Sequence, residues 1–398
     1  MVQARGLTEL RLEDLWQEVK DEEQWWGDLK QEVLRAVKGL LETHMDMEIG
    51  ERLGAWRYGR LESRRGYRNG YRERSLLTEY GLIEYLRIPR DREGYYQPSL
   101  LRAYGRRQAE VNRLVREAFL AGISTRRVGE VLEPVLGDRP SPQTVSRIVS
   151  SLRREVERYH RRPVTDGYCY LFLDGITLTV KSVTGARKRL VLCAYGITPD
   201  GKRELISFRQ AIAESELQWE AFLRNLYDRG LEGKNLQLIV TDGCAGLHRA
   251  LSTVYPYTPR QRCWAHKLRN IAAKLPRKIQ EDCLYGAKRV YLAETEREAR
   301  ARFRDWATLW RQVAPRAVAC LEEDLEELLT FLSCPKDHWR KVRTTNVIER
   351  AFREVRRRTR PMSCFQNSAS VDRIIYGVVS HLNRNWEEKP LREFTHNT

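Results

Sequence analysis

Three acidic residues, Asp174, Asp242 and Glu349, occupy positions typical of a metal-dependent active site. Asp174 follows the apolar run 168–173, and Asp242 follows the apolar run 236–241. Such runs predict buried strands, and open α/β sheets build their sites at the carboxyl ends of strands. Glu349 lies in a helical pattern that is crowded with arginine. Three carboxylates beside so much positive charge indicate metal-assisted chemistry on a phosphodiester.

Magnesium suits this set of acids because it binds oxygen ligands and keeps several waters for a substrate phosphate. Two such ions about 3.5–4 Å apart can activate the attacking oxygen and stabilise the leaving one. Without a cation between them, clustered carboxylates repel one another and their pKa values rise. Asp174 and Asp242 have an alternative role as strand-end turn residues, since Asp-Gly pairs mark turns on their own. Glu354 is a rival third acid, although it is displaced around the helix from Glu349.

The segments around the two aspartates predict a mixed α/β sheet. Residues 188–197 and 203–208 have the pattern of strands, and residues 214–229 have that of a helix that precedes the strand ending at Asp242. Three hairpin-linked strands, a helix and a fourth strand therefore follow one another. This order predicts that Asp174 and Asp242 lie on neighbouring strands.

The region between residues 276 and 337 is rich in helix formers. Its acidic patch is predicted to be a solvated helix face, because nothing in the sequence fixes these acids around one point: Glu322, Glu323, Asp324, Glu326 and Glu327. Downstream, helical spacing puts Asn346, Arg350 and Arg353 on the same face as Glu349. The acid can then reach the metals while the two arginines hold phosphate.

Composition points to a polyanionic partner. The 398 residues include 71 basic and 54 acidic ones, which gives a net charge of +17. The length of the chain predicts two to four domains. We find no apolar run of about 18 residues and no signal-peptide core at the N-terminus, so the expected location is the cytoplasm. The eight cysteines lack the spacing of a disulfide scaffold and are expected to be reduced.

An arginine-rich stretch, residues 52–107, has a composition typical of DNA-binding segments. It contains 14 arginines, no lysine and six acids, with tyrosines interleaved. Arginine binds phosphate through a planar fork, and aromatic rings stack on bases. The Asn69-Gly70 pair predicts the turn of a β-hairpin. We expect this hairpin to display three arginines toward DNA: Arg68, Arg72 and Arg74.

The next segment has the pattern of a helix-turn-helix. Ser124 is predicted to cap the first helix, residues 137–140 break the chain, and Ser141 with Pro142 opens the second helix. Small polar residues and an arginine near a helix start suit major-groove contacts. A helical hairpin that only packs within the chain is the alternative. The predicted DNA-contacting residues of the second helix are Gln143, Thr144 and Arg147.

Several motifs, in order along the chain, resemble the signatures of the Mutator-type bacterial insertion-sequence transposases, a DDE family. They are YLFLDGI, IVTDGCAGL, CWAHKLRNI and NVIER, with GYRNGYRER and SPQTVSRI upstream. The resemblance covers roughly residues 50 to 390 and implies a ribonuclease-H-like catalytic domain. Asp174, Asp242 and Glu349 match the acidic triad, and a helical insertion is implied before the last acid. The expected cofactor is Mg²⁺, as two ions, for which Mn²⁺ can substitute.

The CWAHK motif contains Cys263, Trp264 and His266. A Cys-x-x-His pair can begin a zinc site, but we find no second pair of ligands at metal-binding spacing. The resemblance implies instead that Cys263 and His266 orient groups near the active site by hydrogen bonding. Trp264 is expected in the core, with stacking on distorted DNA as the alternative.

The resemblance also implies the function and the partners. We expect a transposase that binds the terminal inverted repeats of its element, cleaves at the element end and joins the freed 3′-hydroxyl to target DNA, acting as a homodimer. The alternatives are a ribonuclease-H-like nuclease or junction resolvase, and a DNA-binding regulator without catalysis. The predicted regions are a helical, dimer-forming segment 1–50, the DNA-binding regions 51–110 and 111–162, a first catalytic part 163–260, a helical insertion 261–340 and C-terminal helices 341–398.

Overall fold

The chain divides into two units, Met1–Ser150 and Ser151–Thr398. A computed structural model describes residues 22–395, apart from residues 60, 61, 63, 102–106, 183, 184, 361–364 and 366. The N-terminal apolar positions that contribute to the predicted helix, Leu10, Leu12, Leu15 and Val19, lie outside the described residues. None of the described helices is both long and apolar enough to cross a membrane.

In the first unit, a long helix packs against a two-stranded hairpin. Helix α1 spans Glu22–Leu53, strand β1 spans Arg68–Thr78 and strand β2 spans Gly81–Asp91. Burial of apolar side chains from both elements holds them together. The buried cluster comprises Met45, Leu76, Ile83, Leu86, Ile88 and Leu101.

The predicted hairpin forms, but its turn is not at Asn69-Gly70. The two strands meet at Thr78 and Gly81, with Glu79 and Tyr80 between them. The Thr78 hydroxyl donates to the Gly81 carbonyl at 2.8 Å and accepts from the Tyr80 N–H at 3.2 Å, which fixes the turn. Gly70, with φ of +64°, lies where the register of β1 shifts. A left-handed glycine suits a β-bulge as well as a turn, and here it forms the bulge.

Three short helices follow: α2 (Ala109–Leu120), α3 (Val128–Leu136) and α4 (Pro142–Ser150). The Ser141 hydroxyl accepts from the Thr144 N–H at 3.2 Å and caps α4, as predicted. The predicted cap by Ser124 is wrong, because residues 124–127 form a turn and α3 begins only at Val128.

Gly129 brings α3 close to the segment before α4. A Cβ at this position would lie 2.4 Å from the Pro140 carbonyl oxygen, so only glycine fits there.

The second unit contains a five-stranded mixed sheet. Its strands are β3 (Tyr170–Ser182), β4 (Gly185–Ile197), β5 (Arg203–Ala211), β6 (Leu238–Thr241) and β7 (Arg260–Arg262), arranged in the order β5-β4-β3-β6-β7. Strands β3 to β5 are antiparallel, whereas β6 and β7 run parallel to β3. The coarse prediction of a mixed sheet in an α/β unit is confirmed.

Helices cover both faces of this sheet. Alternate residues of β3, Leu171 and Leu173, belong to a core with helices α6 (Glu216–Asp228) and α7 (Ala245–Val254). Phe172, which points to the opposite face, packs edge-on against Tyr195. Helix α5 (Arg153–Arg161) precedes the sheet.

The chain between β7 and the third acid consists of helices and short 3-10 turns in the described structure. The α-helices are α8 (Trp264–Ala272), α9 (Arg277–Tyr291), α10 (Glu296–Trp310), α11 (Pro315–Glu322), α12 (Leu325–Leu329) and α13 (Trp339–Val342). Two further helices then follow, α14 (Asn346–Thr359) and α15 (Ser368–Glu387). Helix α15 packs on β5, where the Asn383 side chain accepts from the Leu205 N–H at 2.9 Å.

Candidate active site

Asp174 lies within strand β3 and not at its end. The sequence predicts a strand end because the apolar run stops there, but β3 continues to Ser182 along β4. It is the neighbour β6 that ends, since Leu173 and Thr241 form the last pair of the parallel ladder. Asp174 is buried, 6% exposed, and its Oδ1 accepts from the Gly175 N–H at 2.7 Å. The carboxylate therefore occupies the space that opens where β6 stops.

Asp242 follows β6 at the same level of the sheet. Its Oδ1 accepts from the Cys244 N–H at 3.0 Å, and Gly243 adopts φ of +91° before α7 begins. The turn role and a role in the site are compatible, because the Asp242 charge also acts on Asp174.

Glu349 lies in the first turn of α14, and its carboxylate approaches Asp174. Its Oε1 accepts from Arg269 Nη2 at 2.8 Å and lies 3.9 Å from His266 Nε2. Ligand-type atoms of Asp174, His266 and Glu349 all lie within 4.8 Å of one another. Asp242 is outside this closest group, although it is a charged neighbour of both Asp174 and His266.

Burial and mutual repulsion shape the charge state of the site. Burial, followed by the nearby charge of Asp242, raises the pKa of Asp174 to about 7. Burial, with Arg269 close by, lowers the pKa of His266. At neutral pH the imidazole is therefore neutral, while the carboxyl of Asp174 is near its midpoint. A bound cation would favour the charged form of Asp174.

Glu214 is an acid of this site that the sequence analysis missed. It precedes α6, and a Cβ added to Gly175 would lie 3.7 Å from its Oε1. Partial burial of its carboxyl, followed by the charge of Asp242, raises the pKa of Glu214. Glu214 lies beyond the predicted strand 203–208 and belongs to no recognised motif, so only the fold brings it to the acids.

Thr345 connects the CWAHK motif to the third acid. Its N–H and hydroxyl lie 3.2 and 3.4 Å from Cys263 Sγ, and its Oγ1 lies 3.4 Å from His266 Nδ1. Thr345 is fully buried, and its carbonyl accepts from the Glu349 N–H at 3.0 Å. Cys263 and His266 thus hold the start of the helix that carries Glu349.

Trp264 belongs to the core. It is 1% exposed, and its Nε1 donates to the Leu328 carbonyl at 2.7 Å. Its backbone N–H donates to the Arg343 carbonyl at 3.1 Å, which brings the two ends of the helical region together.

The acidic patch around α12 is not a uniformly solvated face, and the prediction is wrong for two of its members. Asp324 is buried and forms ion pairs with Lys267 and, at 2.9 Å, with Arg262. Glu327 accepts from Arg262 Nε at 2.7 Å and lies 2.6 Å from His248 Nε2. These acids instead connect the helical region to β7, α7 and α8, because cations from those elements face them.

The rival third acid has a different partner. Glu354 pairs with Arg357 at 2.8 Å and is not among the charges that act on Asp174 in the described structure. Arg350 and Arg353 line cavities beside α14.

The predicted DNA-contacting residues of the first unit differ in exposure. Arg72, Gln143 and Arg147 are exposed, whereas Thr144 and Arg74 are half-buried. The Arg68 side chain is only 17% exposed and pairs with Asp46 of α1 at 2.7 Å. The Arg68 guanidinium therefore stabilises the first unit and is not displayed on the hairpin. DNA contact by the others stays a prediction.

Comparison with known proteins identifies the family of the chain. The sequence model described as "Transposase, Mutator family" matches residues 8–389. The transposase of insertion sequence element ISRM5 from Rhizobium meliloti is 34% identical over 90% of this chain and 88% of its own length. The transposase of IS905 from Lactococcus lactis is 32% identical over 89% and 90%. The transposase of IS256 in transposon Tn4001 from Staphylococcus aureus is 31% identical over 90% and 91%. The chain belongs to the Mutator family of transposases.

Proposed function

We propose that this transposase binds the terminal inverted repeats of its element, hydrolyses a strand at the element end and joins the freed 3′-hydroxyl to target DNA. One observation supports the proposal: Asp174 and Glu349, which are far apart in sequence, have carboxylate oxygens within 4.8 Å of each other, and Asp242 is a charged neighbour of Asp174. The strand order, with three antiparallel strands beside two parallel ones, supports a ribonuclease-H-like fold for this unit.

The donor set fits hard divalent cations. Carboxylate oxygens from Asp174, Asp242 and Glu349 are ligands that Mg²⁺ and Mn²⁺ accept, and Glu214 adds a fourth carboxylate nearby. Burial, followed by the charge of Asp242, raises the pKa of Asp174, and a bound cation would oppose both effects. When bound, the metal ions would lower the pKa of the attacking water or hydroxyl and stabilise charge on the leaving oxygen.

The surrounding side chains keep the acids in position. Asp174 is fixed by the Gly175 N–H and Asp242 by the Cys244 N–H. Arg269 holds the Glu349 carboxylate, and His266 approaches the same oxygen. These contacts fix the side chains of Asp174, Asp242 and Glu349 in the folded protein.

The first unit would recognise the element end, with Arg72, Gln143 and Arg147 on its exposed surface. Pairing of two chains is also proposed, and α1 supports it. Val33, Leu40 and Met47 are exposed by 36%, 57% and 49% and follow one another at intervals of seven residues. Residues seven apart share a helix face, so they form an apolar stripe suited to a second copy of α1.

The decisive experiment incubates labelled element ends and a target plasmid with protein and Mg²⁺. The proposal expects cleaved and joined products from the wild type. It expects neither product from Asp174→Asn, Asp242→Asn or Glu349→Gln, with end binding retained, because these changes remove metal ligands and not phosphate contacts.

Glu354→Gln is the matched control, since Glu354 pairs with Arg357, and it should retain activity. Cleavage without joining would indicate a nuclease or resolvase, and binding alone would indicate a non-catalytic regulator. An active Glu349→Gln beside an inactive Glu354→Gln would reject the proposed third acid.

A further inference from the structure

Two cavities beside helix α14 form one basic groove. The first has a volume of about 520 Å³ and the second of about 540 Å³. They share Lys341, Val347 and Arg350, so they adjoin each other. The basic side chains that line them are Arg203, Arg340, Lys341, Arg343, Arg350, Arg353 and Arg357.

Most of this positive charge has no acidic partner in the groove. The two lining acids, Glu393 and Glu354, already pair with Lys341 and Arg357. In the part of the chain that the structure describes, no carboxylate lies within ion-pair distance of the remaining arginines: Arg203, Arg340, Arg343, Arg350 and Arg353. Like charges gathered in this way favour an anionic ligand that neutralises them.

Arg343 is the clearest example of a groove arginine without an acidic partner in the described structure. It is half-buried, with its guanidinium over the Tyr291 ring at 4.7 Å and its Nη1 donating to the Tyr291 carbonyl at 3.3 Å. Burial lowers the pKa of Arg343, and the neighbouring charge of Arg340 lowers it further. A half-buried cation beside a second cation and a cavity is stabilised by an anion from outside.

The second cavity repeats the combination of cation and aromatic ring. The Arg203 guanidinium lies 5.0 Å from the centre of the Trp386 ring. Its Nε is buried, and no hydrogen-bond acceptor within the described residues reaches it. Grooves that combine basic side chains with aromatic rings are typical of single-stranded nucleic-acid sites.

The dimensions favour one strand over two. The cavities, at about 520 and 540 Å³, have the volume of small-molecule pockets, which suits nucleotide-sized groups. Helix α14 carries both Glu349, which lies near Asp174, and Arg350, which lines both cavities.

We propose that this groove binds a single-stranded DNA segment through its phosphates, next to the reactive position. The proposal rests on the proposed function, because the strand in the groove would be the one that flanks the phosphodiester at the acids. Arg340, Arg343 and Arg203, which no sequence motif indicated, would carry the phosphate contacts together with Arg350.

Metal-free binding tests this site separately from cleavage. Fluorescence anisotropy in EDTA would measure the affinity of the full chain for a labelled single-stranded oligonucleotide over a series of salt concentrations. Arg340→Gln/Arg343→Gln removes two groove cations. Arg297→Gln/Arg304→Gln is the matched control, because these exposed arginines of α10 line neither cavity.

The groove variant should bind the single strand about tenfold more weakly at 0.1 M salt. Its slope of log affinity against log salt should be shallower by about 1.4, since each lost phosphate contact on a single strand contributes about 0.7. The control should match the wild type. Arg343→Lys keeps the charge and should retain most of the affinity, which separates charge loss from misfolding.

Equal slopes and affinities for the groove variant and the control would overturn the inference. A loss confined to duplex DNA would overturn it as well, because the groove would then hold a duplex. Neither result would bear on the acids, which are tested by cleavage.

Discussion

Asp324→Asn is expected to be among the most destabilising single changes in the second unit. Asp324 forms ion pairs with Lys267 and Arg262, and the side chains of Asp324 and Lys267 are 7% and 6% exposed. The amide keeps the volume of the side chain but removes its charge. Lys267 would then be a buried ammonium without a counter-charge, and only neutral acceptors would remain for it, among them the Cys320 carbonyl at 2.9 Å.

The expected loss in the free energy of unfolding is about 3–5 kcal/mol, the range for breaking a buried ion pair from one side. For a unit of this size each kcal/mol lowers Tm by about 2–4 °C. Asp324→Asn should therefore lower the melting temperature by about 6–20 °C. Replacing both partners by apolar residues, as in Lys267→Met/Asp324→Leu, should recover much of the loss because no buried charge is left unpaired.

Urea unfolding followed by tryptophan fluorescence would measure the effect, with Glu326→Gln as the control from the same segment. Glu326 pairs with Arg300, but its side chain is 76% exposed. Such surface pairs contribute about 0–1 kcal/mol. If both variants shifted the urea midpoint equally, the network would not hold the helical region to the sheet, and our explanation of the acidic patch would fail.

Three further predictions concern the active site and the first unit. Because the pKa of Asp174 is raised to about 7 from an ordinary 3.8, the metal-free folded protein holds a proton that the unfolded chain has released. Its contribution to stability is complete below about pH 4 and is lost as pH rises to about 7, so Tm of the wild type should fall relative to that of Asp174→Asn across this range. Melting temperatures that stay parallel over the range would contradict this. Arg72→Gln should make the salt dependence of duplex binding shallower by about 0.9, whereas Arg68→Gln should mainly lower Tm because Arg68 pairs with Asp46; equal effects on both quantities would argue against this difference. Cys263→Ser should keep the fold, because a hydroxyl can also accept from Thr345, and elemental analysis should find no stoichiometric zinc; one zinc per chain with chelator-sensitive melting would make the motif part of a metal site.

The sequence was sufficient for features that have a local cause. Apolar runs and helix formers predicted the sheet of the second unit and its helical region, and Ser141 and Gly137 marked helix ends. The hairpin turn was misplaced because Asn-Gly also suits a bulge. Asp174 looked like a strand end because the apolar run stops there, although it is the neighbour β6 that ends.

Features that depend on distant contacts could not be predicted from the chain. Glu214 joins the site only because α6 begins beside Asp242. Asp324 and Glu326 stand two residues apart in one acidic run, yet one is buried against Lys267 and the other is exposed beside Arg300. Only the packing of the helices on β7 and α8 distinguishes them.

The hydrogen bond between Thr345 and Cys263 makes the position of Glu349 depend on a distant part of the chain. The two residues are 82 positions apart, and the bond joins the two ends of the helical region between β7 and α14. Closing a loop of this length costs about 4 kcal/mol of chain entropy by logarithmic scaling. Pairing of β3 with β6 is enough to bring Asp174 and Asp242 to the same end of β6. Glu349 reaches them only when the two ends of the helical region are also joined. Glu349 therefore joins the other two carboxylates only in chains in which the ends of the helical region have also come together.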